Sequence, residues 1–183
     1  VAADFAISAA STITVDLTNA TVTAAATDGF TVTSTGTGTI TGSAGADSLT
    51  NTSGDAAILG LAGDDTIVIT AGDVTVTGGT GADAITANVA SLVANGVADG
   101  GYNGGADIDT ITVTDTASTL TDNHFTNVSN MEKLTLNATG ATSLTAGSAF
   151  SSGFSSGVTI TQASKADGSA LTYALGLAAV DTT

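Results

Sequence analysis

The amino-acid sequence predicts an all-β fold, in the form of a parallel β-roll or β-solenoid. The first observation is a glycine- and aspartate-rich nonapeptide that recurs every 18 residues, as in a chain that coils in register. The second is a set of short segments in which β-branched apolar residues alternate with Thr, which is typical of strands with one buried face. We expect one continuous, elongated domain with three parts, residues 1–41, 42–114 and 115–183.

The first part, residues 1–41, is predicted to form β coils that cap the repeats and carry no repeat motif themselves. Its strand-like segments are Thr12–Leu17, Thr21–Thr23, Phe30–Thr33 and Thr39–Thr41. In each of these segments Val, Ile, Leu or Phe alternates with Thr, so that apolar side chains share one face.

The second part, residues 42–114, contains four copies of the nonapeptide. The copies begin at Gly42, Gly60, Gly78 and Gly104, and their fixed aspartates are Asp47, Asp65, Asp83 and Asp109. The glycines permit turns with positive φ, and the apolar residue two places after each Asp begins a strand with its side chain pointing inward. Equivalent turns of such a coil stack about 4.8 Å apart, so the four aspartates are expected to form a column, which we call the Asp ladder.

A column of carboxylates at this spacing repels itself unless cations lie between its members. The candidate ligands are carboxylate and backbone carbonyl oxygens, with no Cys in the chain and no His in the repeats. Oxygen ligands of this kind favour Ca²⁺. The sequence therefore predicts a fold that depends on calcium.

These nonapeptides resemble the calcium-binding repeats of RTX proteins, which are bacterial exoproteins that fold as parallel β-rolls. The resemblance is strongest over residues 78–86, extends over 42–50, 60–68 and 104–112, and is absent before about residue 36. Asp107 departs from the pattern, because it stands where the other copies have their second fixed glycine.

The RTX resemblance implies that each Ca²⁺ lies between one turn and the equivalent turn of the next coil. Carried over, it pairs Asp47 with Asp65, Asp65 with Asp83, and Asp83 with Asp109, which gives roughly three ions. The residues that it nominates for metal binding, through side chains or backbone carbonyls, are Gly42, Ala44, Asp47, Gly60, Ala62, Gly63, Asp65, Gly78, Gly79, Thr80, Gly81, Asp83, Gly104, Asp107 and Asp109.

Degenerate copies lie between the good ones and restrict calcium to one edge of the roll. Ala56 and Val74 stand where Asp is expected, and Asp55 and Asp73, one position earlier, are predicted to form turns rather than to bind metal. Residues 87–98 are rich in Ala, Leu and Val, so a short helix or loop is expected to interrupt the stack there.

The third part, residues 115–183, again carries strand patterns, at Lys133–Asn137 and Val158–Thr161. The segment 125–136 resembles a strand-entry pattern found in bacterial S-layer proteins and large surface adhesins. This second resemblance favours a surface-layer protein over the secretion tail of an RTX toxin or protease.

Charge and composition exclude several classes of protein. The formal net charge is −15, and Lys133 and Lys165 are the only cationic residues apart from one His, so nucleic-acid binding is not expected. No apolar run is long enough to span a membrane. The first residues lack a Met and a basic segment, so they do not form a signal peptide, and we expect a processed product or a piece of a longer chain. The RTX resemblance implies type I secretion to the bacterial cell exterior.

The expected function is structural, without catalysis. A solenoid leaves open strand edges at its ends, and head-to-tail pairing of such edges builds filaments or sheets. We therefore expect a calcium-dependent, self-assembling building block of an S-layer or surface filament, with cell-surface polysaccharide as a further possible partner. The alternative is a calcium-rigidified adhesin module that binds glycan or ice, since the Thr-x-Thr rows resemble those of some ice-binding proteins.

One catalytic motif is present and is interpreted as a surface turn. Gly153–Gly157 fits G-x-S-x-G, the nucleophile elbow, which requires a strand-to-helix turn and a His partner. The motif lies in a run of Ser and Gly, and His124 is the only histidine of the chain. We therefore expect no enzymatic activity from this segment.

Overall fold

The computed structural model is an all-β structure with parallel strands, as the sequence predicts. It describes residues 6–9, 15–16, 29–92, 101–115, 119–136, 143–162 and 172–175. The predicted strand Thr21–Thr23 lies outside the described residues, as do residues 93–100 of the predicted interruption. Within the described ranges the strands form three sheets, and every pairing between them is parallel.

The strands alternate between two main sheets along the chain. Sheet A consists, in spatial order, of β1 (Ala6–Ala9), β3 (Thr31–Ser34), β5 (Ser48–Asn51), β7 (Thr66–Ile69), β9 (Ala84–Ala87), β11 (Thr110–Val113), β14 (Lys133–Leu136) and β16 (Thr159–Gln162). Sheet B consists of β2 (Val15–Asp16), β4 (Thr39–Thr41), β6 (Ala57–Ala62), β8 (Thr75–Thr80), β10 (Tyr102–Ala106) and β13 (Val128–Ser129). Sheet A therefore includes strands from all three predicted parts of the chain.

The 18-residue spacing of the repeats becomes the register of the sheets. Leu49 pairs with Ile67, and Ile67 with Ile85, so equivalent residues of successive coils are direct neighbours. The inward side chains of the two sheets form the core, which includes Val32, Leu49, Ile67, Ile85, Ile111 and Leu134 from sheet A and Ile40, Ile58, Val76, Tyr102 and Val128 from sheet B. Period-two alternation and a constant repeat length thus produce stacked apolar columns.

Two rows of turns connect the sheets and lie on different edges. The ladder edge consists of the turns that lead from sheet B into sheet A, at residues 42–47, 63–65, 81–83 and 107–109. The opposite edge consists of the turns that lead from sheet A into sheet B, at residues 52–56 and 70–74. The four aspartates of the Asp ladder all lie on the ladder edge.

A short helix lies in the predicted interruption of the stack. Helix α1 (Val89–Leu92) follows β9, and the Tyr102 hydroxyl at the start of β10 donates a hydrogen bond to the Ser91 carbonyl at 3.0 Å. The phenol and Ser91 are buried, so this bond holds helix α1 against the core. The coil therefore resumes in sheet B with its register intact, Tyr102 against Val76.

The cross-section of the fold widens after β11, which the sequence did not indicate. Sheet C appears there, with β12 (Thr119–Leu120), β15 (Ser143–Ala146) and β17 (Thr172–Leu175). A 3-10 helix (Asp122–Phe125) precedes β13, and helix α2 (Ser148–Gly153) packs against both. Phe125 contacts Phe150 edge to face, with ring centroids 4.9 Å apart, and Phe154 completes this aromatic cluster.

A single carboxylate joins the two helices of this region. Both oxygens of Asp122 accept hydrogen bonds from the start of α2, from the N–H groups of Gly147, Ala149 and Phe150 at 2.8 to 3.1 Å. Burial disfavours the charged form, but the three donors outweigh it and hold the pKa of Asp122 below its usual range.

Among the described residues, no helix is long and apolar enough to cross a membrane.

Candidate metal centre

The four aspartates of the Asp ladder are buried and linked through their backbones. The Asp47 N–H donates to Asp65 Oδ1 at 2.7 Å, the Asp65 N–H to Asp83 Oδ1 at 2.8 Å, and the Asp83 N–H to Asp109 Oδ1 at 2.8 Å. The series begins with Asp47, whose Oδ1 accepts the N–H of Phe30 in the same way at 2.6 Å. One oxygen of every carboxylate is thus used to hold the coil that precedes it.

The second oxygen of three of these carboxylates is buried without a hydrogen-bond partner. These atoms are the Oδ2 of Asp65, Asp83 and Asp109, and the three residues are each at most 1% exposed. A buried charged oxygen that lacks a donor is costly, and native structures rarely contain several in a row. The ladder edge therefore has three buried carboxylate oxygens that a cation or a proton would stabilise.

Each of these oxygens faces a backbone carbonyl of the next coil. A Cβ on Gly60 would lie 2.2 Å from Asp65 Oδ2 and 2.5 Å from the Gly78 carbonyl oxygen. A Cβ on Gly78 would meet Asp83 Oδ2 and the Gly104 carbonyl at 2.2 and 2.4 Å in the same way. Two acceptor oxygens therefore approach the same side of one glycine, where no other residue fits, and a cation that binds both oxygens has to lie beside the Cβ position and not at it.

The third such point lies beyond the last repeat. A Cβ on Gly104 would lie 2.5 Å from Asp109 Oδ2 and 2.2 Å from the carbonyl oxygen of Asn130. We call these three points the first, second and third cradles, after Asp65, Asp83 and Asp109 respectively. Each cradle combines a carboxylate Oδ2 with a carbonyl oxygen, and this Oδ2 accepts no hydrogen bond.

The turn at Asp47 has a different arrangement. Asp47 Oδ2 accepts hydrogen bonds from the Ser43 N–H at 2.6 Å and from the Ser43 hydroxyl at 3.2 Å. The Gly60 carbonyl still lies beside it, since a Cβ on Gly42 would meet both oxygens at 2.5 Å. Asp47 is therefore satisfied by donors of its own turn, in contrast to the other three aspartates.

Glu132 extends the Asp ladder by one member that the sequence analysis missed. Its Oε2 accepts the Asp109 N–H at 2.9 Å, which repeats the bond between successive aspartates. Glu132 directly precedes β14, and the order Glu132, Lys133, Leu134 matches the acid, any residue, inward apolar residue of the repeats. That local match was the signal available in the sequence, but the glycines before it are missing.

Burial raises the proton affinity of Asp65, Asp83 and Asp109. Burial, together with the charges of neighbouring carboxylates, raises the pKa of Asp65 to about 7, against the lowering effect of the bond from the Asp47 N–H. The same causes raise the pKa of Asp83 to about 6. Burial, with the charges of Glu132 and Asp107, also raises the pKa of Asp109. In the absence of a cation the ladder thus competes for protons.

The chemistry of the cradles fits a hard cation. All the atoms that could bind a cation there are oxygens, which suits Ca²⁺ better than the metals that prefer His or Cys. Among the described residues no three His, Cys, Asp or Glu side chains form one compact group that could hold a metal ion. A cation in a cradle therefore has to take ligands from two successive coils and from backbone carbonyls.

The other residues nominated from the repeats shape the turns. Gly63, Gly79 and Gly81 adopt positive φ of 105°, 127° and 117°, and Ala62 and Thr80 end strands β6 and β8. Ala44 is exposed, and Asp107 is exposed with its carboxylate accepting the Gly81 N–H at 3.2 Å. Metal binding through the backbone carbonyls of these residues stays a prediction.

The opposite edge has apolar residues at the positions equivalent to the ladder aspartates. Ala56 and Val74 are buried in the core at the positions equivalent to the ladder aspartates, and Asp55 is exposed. The Asp73 N–H donates to Asp55 Oδ1 at 3.0 Å, which joins two turns of this edge. The Asn51 amide donates to the Gly54 carbonyl at 2.9 Å and to the Ala71 carbonyl of the next coil at 3.2 Å.

The G-x-S-x-G sequence lies in a helix-to-strand connection. It runs from the end of α2 towards β16, the reverse of the strand-to-helix order of a nucleophile elbow. The Nδ1 atom of His124 lies within hydrogen-bond distance of Thr121 Oγ1, at 2.9 Å. The interpretation of this segment as a surface turn stays a prediction.

Comparisons with protein-family models, with curated proteins and with solved structures found no match to this chain.

Proposed function

We propose that this chain is a calcium-dependent structural building block of a bacterial cell exterior, which assembles with copies of itself into an S-layer or surface filament. The observation that carries the proposal is the row of three cradles. Each leaves a buried Asp oxygen without a donor beside a carbonyl oxygen, so each lacks a positive charge. Ca²⁺ supplies that charge and accepts both kinds of oxygen as ligands.

The chain has almost no cations of its own to neutralise the ladder. Its formal net charge is −15, and of its two lysines Lys133 is exposed at the start of β14. The cation must therefore come from the surrounding solution. Calcium sites of extracellular modules bind with dissociation constants of about 10⁻⁴ to 10⁻³ M, so sites of that affinity fill outside the cell and not in the cytosol.

Self-assembly is supported by the edges of sheet A. Within the described residues β1 pairs only with β3, and β16 only with β14, so each has one edge without a described partner. The chain contains no Pro and few charged residues, which are the usual means of blocking such edges. Pairing of the two ends from different copies is head to tail and therefore continues into a polymer.

The proposal is tested by restoring calcium to chelator-treated protein. Circular dichroism should report a gain of β structure, and light scattering should then report growth from a monomer to large ordered particles. Magnesium at the same concentration is the matched control, since it demands a tighter octahedral site. A lack of any response to calcium contradicts the whole proposal, whereas folding without growth contradicts only the assembly.

A second candidate is a calcium-rigidified binding module, an adhesin region that takes ice or glycan, and the outer face of sheet A favours it. From β3 to β16, one row of outward residues on this face contains Thr at six of seven positions, namely Thr33, Thr50, Val68, Thr86, Thr112, Thr135 and Thr161. Such a row presents hydroxyl and methyl groups at the constant strand spacing of about 4.8 Å.

The Thr row has a direct test. If this face binds ice, a Thr86→Lys substitution abolishes inhibition of ice recrystallisation, while calcium-dependent folding and particle growth are unchanged. Inactivity of the wild-type chain in that assay contradicts the ice-binding candidate. A Thr66→Lys variant, in the neighbouring outward row of sheet A, is the matched control.

A further inference from the structure

The first turn of the ladder edge is built to work without a cation. Ser43 and Asp47 are each 3% exposed, and the Ser43 N–H and hydroxyl both donate to Asp47 Oδ2. The Gly45 N–H in turn donates to the Ser43 hydroxyl at 3.1 Å, which holds that side chain in place. Ser43 therefore supplies the positive hydrogen atoms that Asp65, Asp83 and Asp109 lack.

The backbone of this turn also differs from that of the later ones. The residues equivalent to Ser43 are Leu61, Gly79 and Gly105, which are in register and have φ of 84°, 127° and 116°. Ser43 does not adopt this positive φ. Its N–H is directed towards the carboxylate of its own turn. The copy that begins at Gly42 therefore has a local structure different from that of the later copies, although its sequence resembles theirs.

The last turn, in contrast, keeps the features of a cradle after the sequence repeat has ended. Asn130 is in register with Gly104, since β13 pairs with β10, and its carbonyl faces Asp109 Oδ2 as the glycine carbonyls face the earlier aspartates. The turn from Asn130 to Glu132 is three residues shorter than that from Gly104 to Asp109. The longer side chain of Glu, the only one in the chain, spans the difference and reaches the Asp109 N–H.

Glu132 also brings a second negative charge next to the third cradle. Its Oε2 lies 2.9 Å from the backbone nitrogen of Asp109. The third cradle is therefore flanked by two carboxylates and one carbonyl, as the first is by Asp65, Asp83 and Gly78.

We infer that three cations lie between successive carboxylates from Asp65 to Glu132, and that none lies between Asp47 and Asp65. This inference rests on the proposed calcium function and moves the row of sites one coil towards the C-terminus. The site formed by Asp109, the Asn130 carbonyl and Glu132 lies partly outside the nonapeptide repeats. The site that the repeats indicate between Asp47 and Asp65 is replaced by the Ser43 hydrogen bonds.

The experiment counts bound calcium ions by native mass spectrometry at saturating calcium, with folding checked by circular dichroism. The wild-type chain should bind three ions, Glu132→Gln two, and Asp47→Asn three. Gln keeps an oxygen that accepts the Asp109 N–H, so the loss reports on charge at the third cradle. Lys133→Gln, an exposed change in the adjacent residue, is the matched control and should keep three ions.

The pairing taken from the repeats gives the reverse result, with three ions for Glu132→Gln and two for Asp47→Asn, and that result overturns this inference alone. A wild-type chain that folds and binds no calcium overturns the proposed function as well. Asp47→Asn places amide hydrogens against backbone donors and weakens the first turn. If it does not fold, the ion count of Glu132→Gln decides between the two registers.

Discussion

Replacement of Asp65 by asparagine should destabilise the fold in calcium and stabilise it in chelator. Asn keeps the oxygen that accepts the Asp47 N–H, and its amide nitrogen takes the place of Oδ2 beside the Gly78 carbonyl. The amide then donates to that carbonyl, whereas the carboxylate repels it. The opposite edge already contains this arrangement, where the Asn51 amide bridges the Gly54 and Ala71 carbonyls.

The magnitude in calcium follows from the number of cradles. Each bound ion adds about 1.4 kcal/mol to the free energy of unfolding for every tenfold rise in free calcium above its dissociation constant. Three cradles therefore predict a slope of about 4 kcal/mol per tenfold calcium for the wild-type chain. Asp65→Asn removes the first cradle and should lower the slope to about 2.7 kcal/mol.

In chelator the same substitution should favour folding. It replaces a buried Oδ2 that accepts no hydrogen bond by an amide that donates one, a change worth about 1–3 kcal/mol. At pH 8 the ratio of folded to unfolded chain should therefore rise by a factor of about 5 to 150, since 1.4 kcal/mol corresponds to a factor of ten. Asp55→Asn, at an exposed carboxylate of the opposite edge, should change neither quantity by more than a few tenths of a kcal/mol.

The assay is urea unfolding followed by circular dichroism, in calcium-buffered solutions and in chelator. An unchanged slope for Asp65→Asn contradicts a cation at the first cradle. A lower folded fraction in chelator contradicts the view that the Asp65 charge is uncompensated. A slope of about 1.4 kcal/mol indicates that two ions are lost, as expected if Asp65 also binds a cation with Asp47.

Three further predictions concern protons, space and backbone strain at the ladder edge. The pKa of Asp65 is raised to about 7 in the folded chain from an ordinary 3.8, so in chelator at pH 5 the folded chain holds a proton that the unfolded chain lacks. The folded fraction by circular dichroism should therefore fall from pH 5 to pH 8. Calcium affinity by titration calorimetry should rise over the same range, and opposite trends refute the assignment. Gly78→Ala places a Cβ in the second cradle and should abolish one calcium site in native mass spectrometry, whereas Gly101→Ala, with no atom nearer than 3.8 Å, should not. Leu61→Gly relieves a positive φ of 84° and should raise the free energy of unfolding in calcium by about 1 kcal/mol, while Ala62→Gly should lower it by about 0.5–1 kcal/mol. Destabilisation by Leu61→Gly contradicts the strain argument.

The two main sheets were predictable because local pattern and register coincide there. Thr39–Thr41 was predicted as a strand at the bounds of β4, and Lys133–Asn137 overlaps β14. Each has alternating apolar residues and adjoins a turn. A constant 18-residue repeat then leaves one register, since any slip moves Leu49 or Ile67 out of the core.

The wider C-terminal part was missed because its structure depends on contacts between distant residues. Helix α2 has the sequence SAFSSG, which is too short and too rich in Ser to form a helical pattern by itself. Its start is held by Asp122, 25 residues before Gly147, and its apolar face packs Phe150 and Phe154 against Phe125. A pattern within six residues contains none of this information.

The sequence predicted which aspartates lie at the candidate site, but not which pairs of carboxylates flank the proposed cations. The four aspartates were identified from the nonapeptide motif and, for the first three, from its 18-residue spacing, which places equivalent residues on one edge. Ser43 was missed since its effect comes from a φ that the nonapeptide pattern does not specify. Glu132 was missed since the shorter turn changes the spacing from the preceding member, Asp109, to 23 residues.

The two edges lead us to expect a fold that depends on its surroundings. On the opposite edge the neutral Asn51 amide donates to two backbone carbonyls, one of them in the next coil. On the ladder edge Asp65, Asp83 and Asp109 instead place carboxylate oxygens beside backbone carbonyls. We therefore propose that a cation or a proton stabilises the ladder edge. A substitution series from Asp to Asn along the ladder should therefore convert, step by step, a fold controlled by calcium into one that forms without it.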